Sequence, residues 1–187
     1  MKERIVYLNG EYIPESEAKI SILDRGFVHG DAAFDIARTF NHKPFKLRAH
    51  LDRLYRSLSY LRIDPGMTED RMEEITLKVL EVNLPLIGEN DDYLLVQRVS
   101  RGANWLGDIL SPGPPTVVIH CLPIHFEGFA KYYETGVHLV TPFIRRPPPQ
   151  CLDPRAKIQN RVNNILADIE AKQVDPECYS LILDING

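Results

Sequence analysis

Lys157 lies in Asp153-Pro-Arg-Ala-Lys157-Ile-Gln-Asn160-Arg161, after the run Arg145-Arg146-Pro147-Pro148-Pro149, and the spacing predicts that it opens a helix. A lysine that is partly desolvated and close to the positive end of a helix dipole has its ammonium form disfavoured, which frees the amine for Schiff-base chemistry. The competing reading is a solvated surface lysine, the usual state of the residue. A second set is His50-Leu-Asp-Arg53-Leu. Leu47, Leu51, Leu54, Leu58 and Leu61 recur at spacings of three and four, which puts His50 and Arg53 together on a helix face outside the leucine stripe. Alone, Arg53 reads as a solvated arginine. Phe34, Ile36 and Arg38 alternate along one side of a strand, so Arg38 is an inward charge that needs an anionic partner.

These side chains depend on the elements that carry them. Ile5–Leu8, Asn9-Gly10 and Tyr12-Ile13 form a hairpin with a two-residue turn, and a strand follows at Ala32–Phe40. Asp64-Pro65-Gly66 ends the leucine-striped helix. Thr68 caps a second helix, with Glu69 and Asp70 in its first turn and Met72, Ile75, Val79 and Val82 on its apolar face. Runs at Tyr93–Val99 and Thr116–Leu122 read as buried strands, separated by a Gly/Pro/Ser-rich loop. The mixture is α+β, with residues 1–122 as a first domain, 123–130 as a linker and 131–187 as the start of a second. That second part holds a strand at Val137–Thr141, a helix from Lys157 to Gln173 with Ile158, Val162, Ile165 and Ile169 as its stripe, and a strand at Tyr179–Asp184.

Composition narrows the classes. A formal charge of −4 gives no broad attraction to nucleic acid or anionic lipid. No apolar run approaches the roughly twenty residues of a membrane span, so the expectation is a cytoplasmic protein. Cys121, Cys151 and Cys178 are odd in number and far apart, which suggests neither a disulfide framework nor a metal site. His120 and His125 would face opposite ways on a continuous strand, so no metal is expected. Asp31 and Asp35, four apart, read as an ion-paired strand face rather than a hydrolytic carboxylate pair.

Taken in order, Gly26-Phe-Val-His29-Gly-Asp-Ala-Ala-Phe34-Asp-Ile36-Ala-Arg38-Thr-Phe40, the His50/Arg53 helix and the Lys157 segment resemble the fold-type IV (class IV) aminotransferases. That family uses pyridoxal phosphate and includes branched-chain, D-amino acid and (R)-amine aminotransferases and aminodeoxychorismate lyase. The resemblance covers essentially the whole chain and implies a two-domain α+β fold whose small N-terminal domain is complete and whose C-terminal domain is incomplete. It implies that Lys157 binds the cofactor covalently and then shuttles a proton, while Arg53 grips the phosphate with its planar donors. His50 either supports that site or is a helix-surface histidine. On the substrate side it implies Phe34, Ile36 and Arg38 lining the pocket and His29 at its entrance. Arg101 is either a carboxylate ligand or an arginine closing a turn. The activity implied is ping-pong transfer of an amino group between an amino acid or amine and a 2-oxo acid, by a homodimer. The alternatives are a pyruvate-eliminating lyase on the same fold and a truncated, non-catalytic dimerising domain. The apolar loop around Trp105-Leu106 and Ile109-Leu110 points weakly to a partner. The family's acid against the pyridine nitrogen is expected beyond Gly187, so these residues alone are expected to bind cofactor weakly.

Overall fold

A computed structural model of the chain describes residues 3–104, 109 and 113–187. It divides into two units, Met1–Ile124 with Ala156–Asn160, and His125–Arg155 with Arg161–Gly187. The residues around Lys157, expected in the second domain, thus belong to the first.

In the first unit, β1 (Ile5–Leu8) and β2 (Glu11–Pro14) form the expected hairpin. Asn9 and Gly10 turn it at φ 50° and 108°, the positive angles a tight hairpin turn requires. Next comes α1 (Arg25–His29), a short helix ahead of the expected strand. The Asp24 carboxylate accepts from Gly26 N–H at 2.7 Å, and Gly30 ends the turn at φ 70°, so the helix is capped at each end. The unit continues with β3 (Ala32–Phe40), β4 (Lys43–Phe45), α2 (Leu47–Leu61), α3 (Glu69–Asn83), β5 (Tyr93–Ser100) and β6 (Thr116–Pro123). The strands make an antiparallel sheet in the order β2-β1-β6-β5-β3-β4.

The two long helices cover one face of that sheet. Leu47, Leu51, Leu54 and Leu58 of α2 pack with Met72, Ile75 and Val79 of α3 onto Ala33, Ala37, Leu95, Val99, Ile119 and Cys121. Truncating one of the fully buried leucines to alanine costs about 2–5 kcal/mol. The period of two then turns Phe34, Ile36 and Arg38 to the opposite face, beside their cross-strand partners Arg98, Val96 and Leu94. β4 takes only the Arg38–Phe40 end of β3's outer edge. Ala156–Asn160 takes the other end: Ala33 bridges Ile158, Phe34 N–H donates to the Lys157 carbonyl at 3.1 Å, and Gln159 N–H donates to the Ala32 carbonyl at 2.7 Å.

The second unit contains α4 (Glu127–Ala130), α5 (Tyr132–Thr135), β7 (Leu139–Val140), α6 (Val162–Val174) and β8 (Tyr179–Ser180). β7 and β8 pair in parallel, and α6 crosses between them in the chain and packs on β8. The expected linker therefore carries helix α4. The helix expected from Lys157 begins at Val162, because the preceding residues spend their backbone groups on β3. It buries Ala167 and Ala171, while Val162, Ile165 and Ile169 of the expected stripe are each more than half exposed. No helix among the described residues is long and apolar enough to cross a membrane.

Candidate active site

Lys157 is half-buried in an extended segment rather than at a helix mouth, so the dipole argument for it fails. What holds it is Ser57 of α2. Lys157 N–H donates to Ser57 Oγ at 3.0 Å, and that hydroxyl donates to the Arg53 carbonyl one turn earlier at 2.8 Å. One buried hydroxyl thus ties the lysine's backbone to the helix that carries Arg53.

The Arg53 guanidinium is set in turn by Asp35 of β3, whose side chain has no exposure. Nε donates to Oδ2 at 2.7 Å and Nη2 to Oδ1 at 2.8 Å, a two-bond fork. His50 Nδ1 lies 2.8 Å from the same Oδ1. Burial presses the Asp35 carboxyl upward, but the bonds from Arg53 and His50 outweigh it and hold it below its ordinary range. Arg53 remains 43% exposed, and its Nη1 takes no part in the fork. The sequence reading grouped His50 with Arg53 but assigned Asp35 only to an ion-paired face. Its link to them is legible only once α2 packs on the face of β3 that carries Asp35.

On the other face of β3, the Phe34 ring organises a second group. Lys157 Nζ lies 4.2 Å from the ring centroid and the Arg98 guanidinium carbon 5.1 Å from it. Arg98 also donates to Gln159 Oε1 at 2.5 Å, and Ile36 is half-buried beside it. His120 of β6 shares this face through its pairing with Val96. Burial first, and Arg98 second, push its pKa below the ordinary histidine value, which favours the neutral ring. Neither Arg98 nor His120 drew a functional reading from the sequence, since a single cation in an apolar strand carries no spacing signal.

The remaining expected residues are placed differently. Arg38 stacks over Phe40 at 3.9 Å and donates to the Thr39 carbonyl at 3.1 Å. His29 is the exposed last residue of α1. Arg101 is corrected to the turn-closing reading. Its Nε and Nη2 donate to Asp31 at 2.7 and 3.0 Å, and its Nη1 and Nη2 donate to the carbonyls of Arg62 and Leu61 at 2.9 and 2.7 Å. With only about a tenth of the side chain exposed, it has no donor pair to offer a substrate. Trp105, Leu106 and Leu110 lie outside the described residues, and Ile109 is half exposed. Among the described residues no cluster of metal-ligating side chains occurs.

The family model described as amino-transferase class IV matches residues 32–187. A putative branched-chain-amino-acid aminotransferase of Methanocaldococcus jannaschii is 35% identical over 97% of this chain and 60% of its own length. D-alanine aminotransferase of Staphylococcus haemolyticus is 37% identical over 42% of this chain and 28% of its own. Among solved structures, the T.th. branched-chain amino acid aminotransferase with pyridoxamine 5'-phosphate superposes at TM-score 0.86, with 26% identity over 100% of this chain and 61% of that one. The chain belongs to the class IV aminotransferase family. It spans about 60% of the length of the branched-chain relatives it matches.

Proposed function

We propose that this chain supplies the lysine and the phosphate-binding arginine of a pyridoxal-phosphate-dependent aminotransferase, which moves an amino group between an amino acid or amine and a 2-oxo acid. The observation that carries this is that Ser57 ties the backbone of Lys157 to the backbone of Arg53, whose guanidinium Asp35 holds in a two-bond fork. The residues fit that cofactor, because Arg53 is oriented by two bonds to a buried carboxylate and yet keeps 43% of its side chain exposed, with Nη1 outside the fork. When bound, the cofactor supplies an aldehyde for amine exchange and an electron-withdrawing ring.

The chain's own residues do the rest. Lys157 Nζ is the point of attachment and, once released, carries the proton to and from the substrate carbon. Arg53 holds the phosphate, and Asp35 with His50 keeps the guanidinium in one orientation. Phe34, Ile36 and Arg38 line the substrate side, with His29 at its rim. The reading includes a cytoplasmic homodimer, supported by the resemblance and by Ile22 and Phe27, which leave 77% and 74% of their surface exposed. Sedimentation showing a monomer would remove that part.

Borohydride reduction of the protein after incubation with pyridoxal phosphate, followed by mass spectrometry, tests the central claim. A phosphopyridoxyl label on Lys157 that vanishes in Lys157→Ala is expected. A label on other lysines only would overturn the assignment.

A further inference from the structure

Gly30 closes the run Gly26-Phe-Val-His29-Gly30 and has no side chain with which to take part in chemistry. Its backbone is left-handed, at φ 70° and ψ 20°, and its N–H donates to the Gly26 carbonyl at 3.1 Å to end α1. That much requires only a residue tolerant of positive φ, and asparagine is the usual substitute for glycine at such a cap. A second demand comes from more than a hundred residues along the chain. A Cβ at Gly30 would lie 3.0 Å from Asn160 Cβ, 3.3 Å from its Cα and 3.5 Å from its backbone N. Gly66 has the same φ of 70°, but a Cβ there would meet Pro115 Cγ at 3.8 Å, an ordinary contact.

Asn160 ends the segment that straps Lys157 to β3. The residue before it, Gln159, donates its N–H to the Ala32 carbonyl at 2.7 Å, and Ala32 N–H in turn donates to the Gly30 carbonyl at 2.9 Å. Gly30 and the strap are thus joined twice, through Ala32 and by direct packing. A side chain at position 30 must push Asn160 away or tilt the α1–β3 joint by a few tenths of an ångström, and either motion displaces Gln159 from Ala32. The holds on Lys157 itself, Phe34 N–H to its carbonyl and its N–H to Ser57 Oγ, come next along the strap. We infer that Gly30 is a positioning residue for Lys157: its missing side chain lets the strap lie against the α1–β3 joint, and that seat places the lysine. The inference rests on the reading of Lys157 as the point of cofactor attachment. Reaction rates are steep in the placement of the reacting atoms, so a lifted strap should slow attachment more than it destabilises the fold.

The test compares Gly30→Asn with Gly66→Asn, which share the left-handed backbone but differ in what the new Cβ meets. Amide exchange is read on the cofactor-free protein. The rate at which borohydride-fixed label accumulates on Lys157 is read after addition of pyridoxal phosphate. In Gly30→Asn, exchange at residues 157–160 should accelerate roughly tenfold and labelling should slow roughly tenfold, while β5 keeps the protection it has in Gly66→Asn. Asn160→Gly removes the closest atom, so in that background the substitution at position 30 should cost much less of either. The inference is overturned if the two asparagine variants behave alike, if the strap exchanges faster with labelling unchanged, or if the cost persists undiminished beside Asn160→Gly. Gly30→Ala, which adds the Cβ alone, replaces Gly30→Asn if that variant does not fold. Absence of label from wild-type Lys157 would remove the aminotransferase reading, and strap exchange would then decide by itself whether Gly30 seats the segment.

Discussion

Two aspartate–arginine pairs stand at β3, and the same chemistry serves them differently. Asp31, just before the strand, binds Arg101, and Asp35, within it, binds Arg53, each through two hydrogen bonds. Both carboxyls feel burial first, and in both the arginine bonds overcome it and lower the pKa. The pairs part at the arginines' remaining donors. Those of Arg101 reach the carbonyls that end α2, with the side chain 10% exposed, whereas Arg53 stays 43% exposed. A guanidinium with four of its five N–H donors engaged and little exposure is a clamp. One held by two bonds with its far edge open is a receptor, positioned in advance at little further entropic cost on binding.

Arg101→Met is expected to break the clamp with the largest effect. It strands Asp31 with Arg25 as its remaining partner and unpairs two carbonyls, so stability should fall by about 3–5 kcal/mol in chemical denaturation. Arg53→Met should cost less, about 1–3 kcal/mol, because the guanidinium is partly exposed and His50 remains beside Asp35. Its effect on binding should be the larger one. The preference for pyridoxal phosphate over phosphate-free pyridoxal should drop roughly tenfold or more, and Asp35→Asn should lower the same ratio part of the way. An Arg101 variant that folds normally but loses that preference would show that the two pairs had been assigned the wrong way round.

Much of the first unit was legible because its signals are local. The leucines of α2, the Thr68 cap and the Asn9-Gly10 turn each carry their structure within a few residues. Lys157 was picked out by its motif, but its setting was not. Whether it opens a helix or pairs with β3 depends on a strand edge more than a hundred residues earlier, left open where β4 stops. The stripe of α6 failed for a related reason: periodicity marks an apolar face but not the neighbour that covers it, and the residues buried are the small Ala167 and Ala171 instead. Arg98 and Asp35 carry no motif at all. Their settings come from which face of a strand they take and what the adjoining strands place beside them.

The receptor arginine is also tied to Lys157 through Ser57, whose hydroxyl accepts from Lys157 N–H and donates to the Arg53 carbonyl. Ser57→Ala removes the acceptor for Lys157 N–H and leaves that donor half-buried, an expected loss of about 1–2 kcal/mol. If the hydroxyl chiefly positions the lysine, amide exchange should accelerate at residues 156–160 while α2 itself keeps its protection. Equal acceleration in α2 would make Ser57 a helix-stabilising residue instead.

The smallest effect is a pH dependence, and it separates the two faces of the sheet. On the helix side Asp35 has a depressed pKa, so its stabilisation is present above the ordinary value of 3.8 and is lost as pH falls through its lower folded value. On the Phe34 side His120 is depressed below 6.5 by burial and then by Arg98, with Arg4 lowering it and Glu15 opposing. For a base the unfolded chain then binds the extra proton, so stability declines as pH falls below 6.5 and levels off below the folded value. One such proton bounds the slope at about 1.4 kcal/mol per pH unit. His120→Gln should flatten the slope just below pH 6.5 and leave the acid loss near 3.8 in place, while Asp35→Asn should do the reverse. If His120→Gln leaves the slope unchanged, the imidazole is not desolvated, and the face that holds Arg98 is wetter than its burial implies.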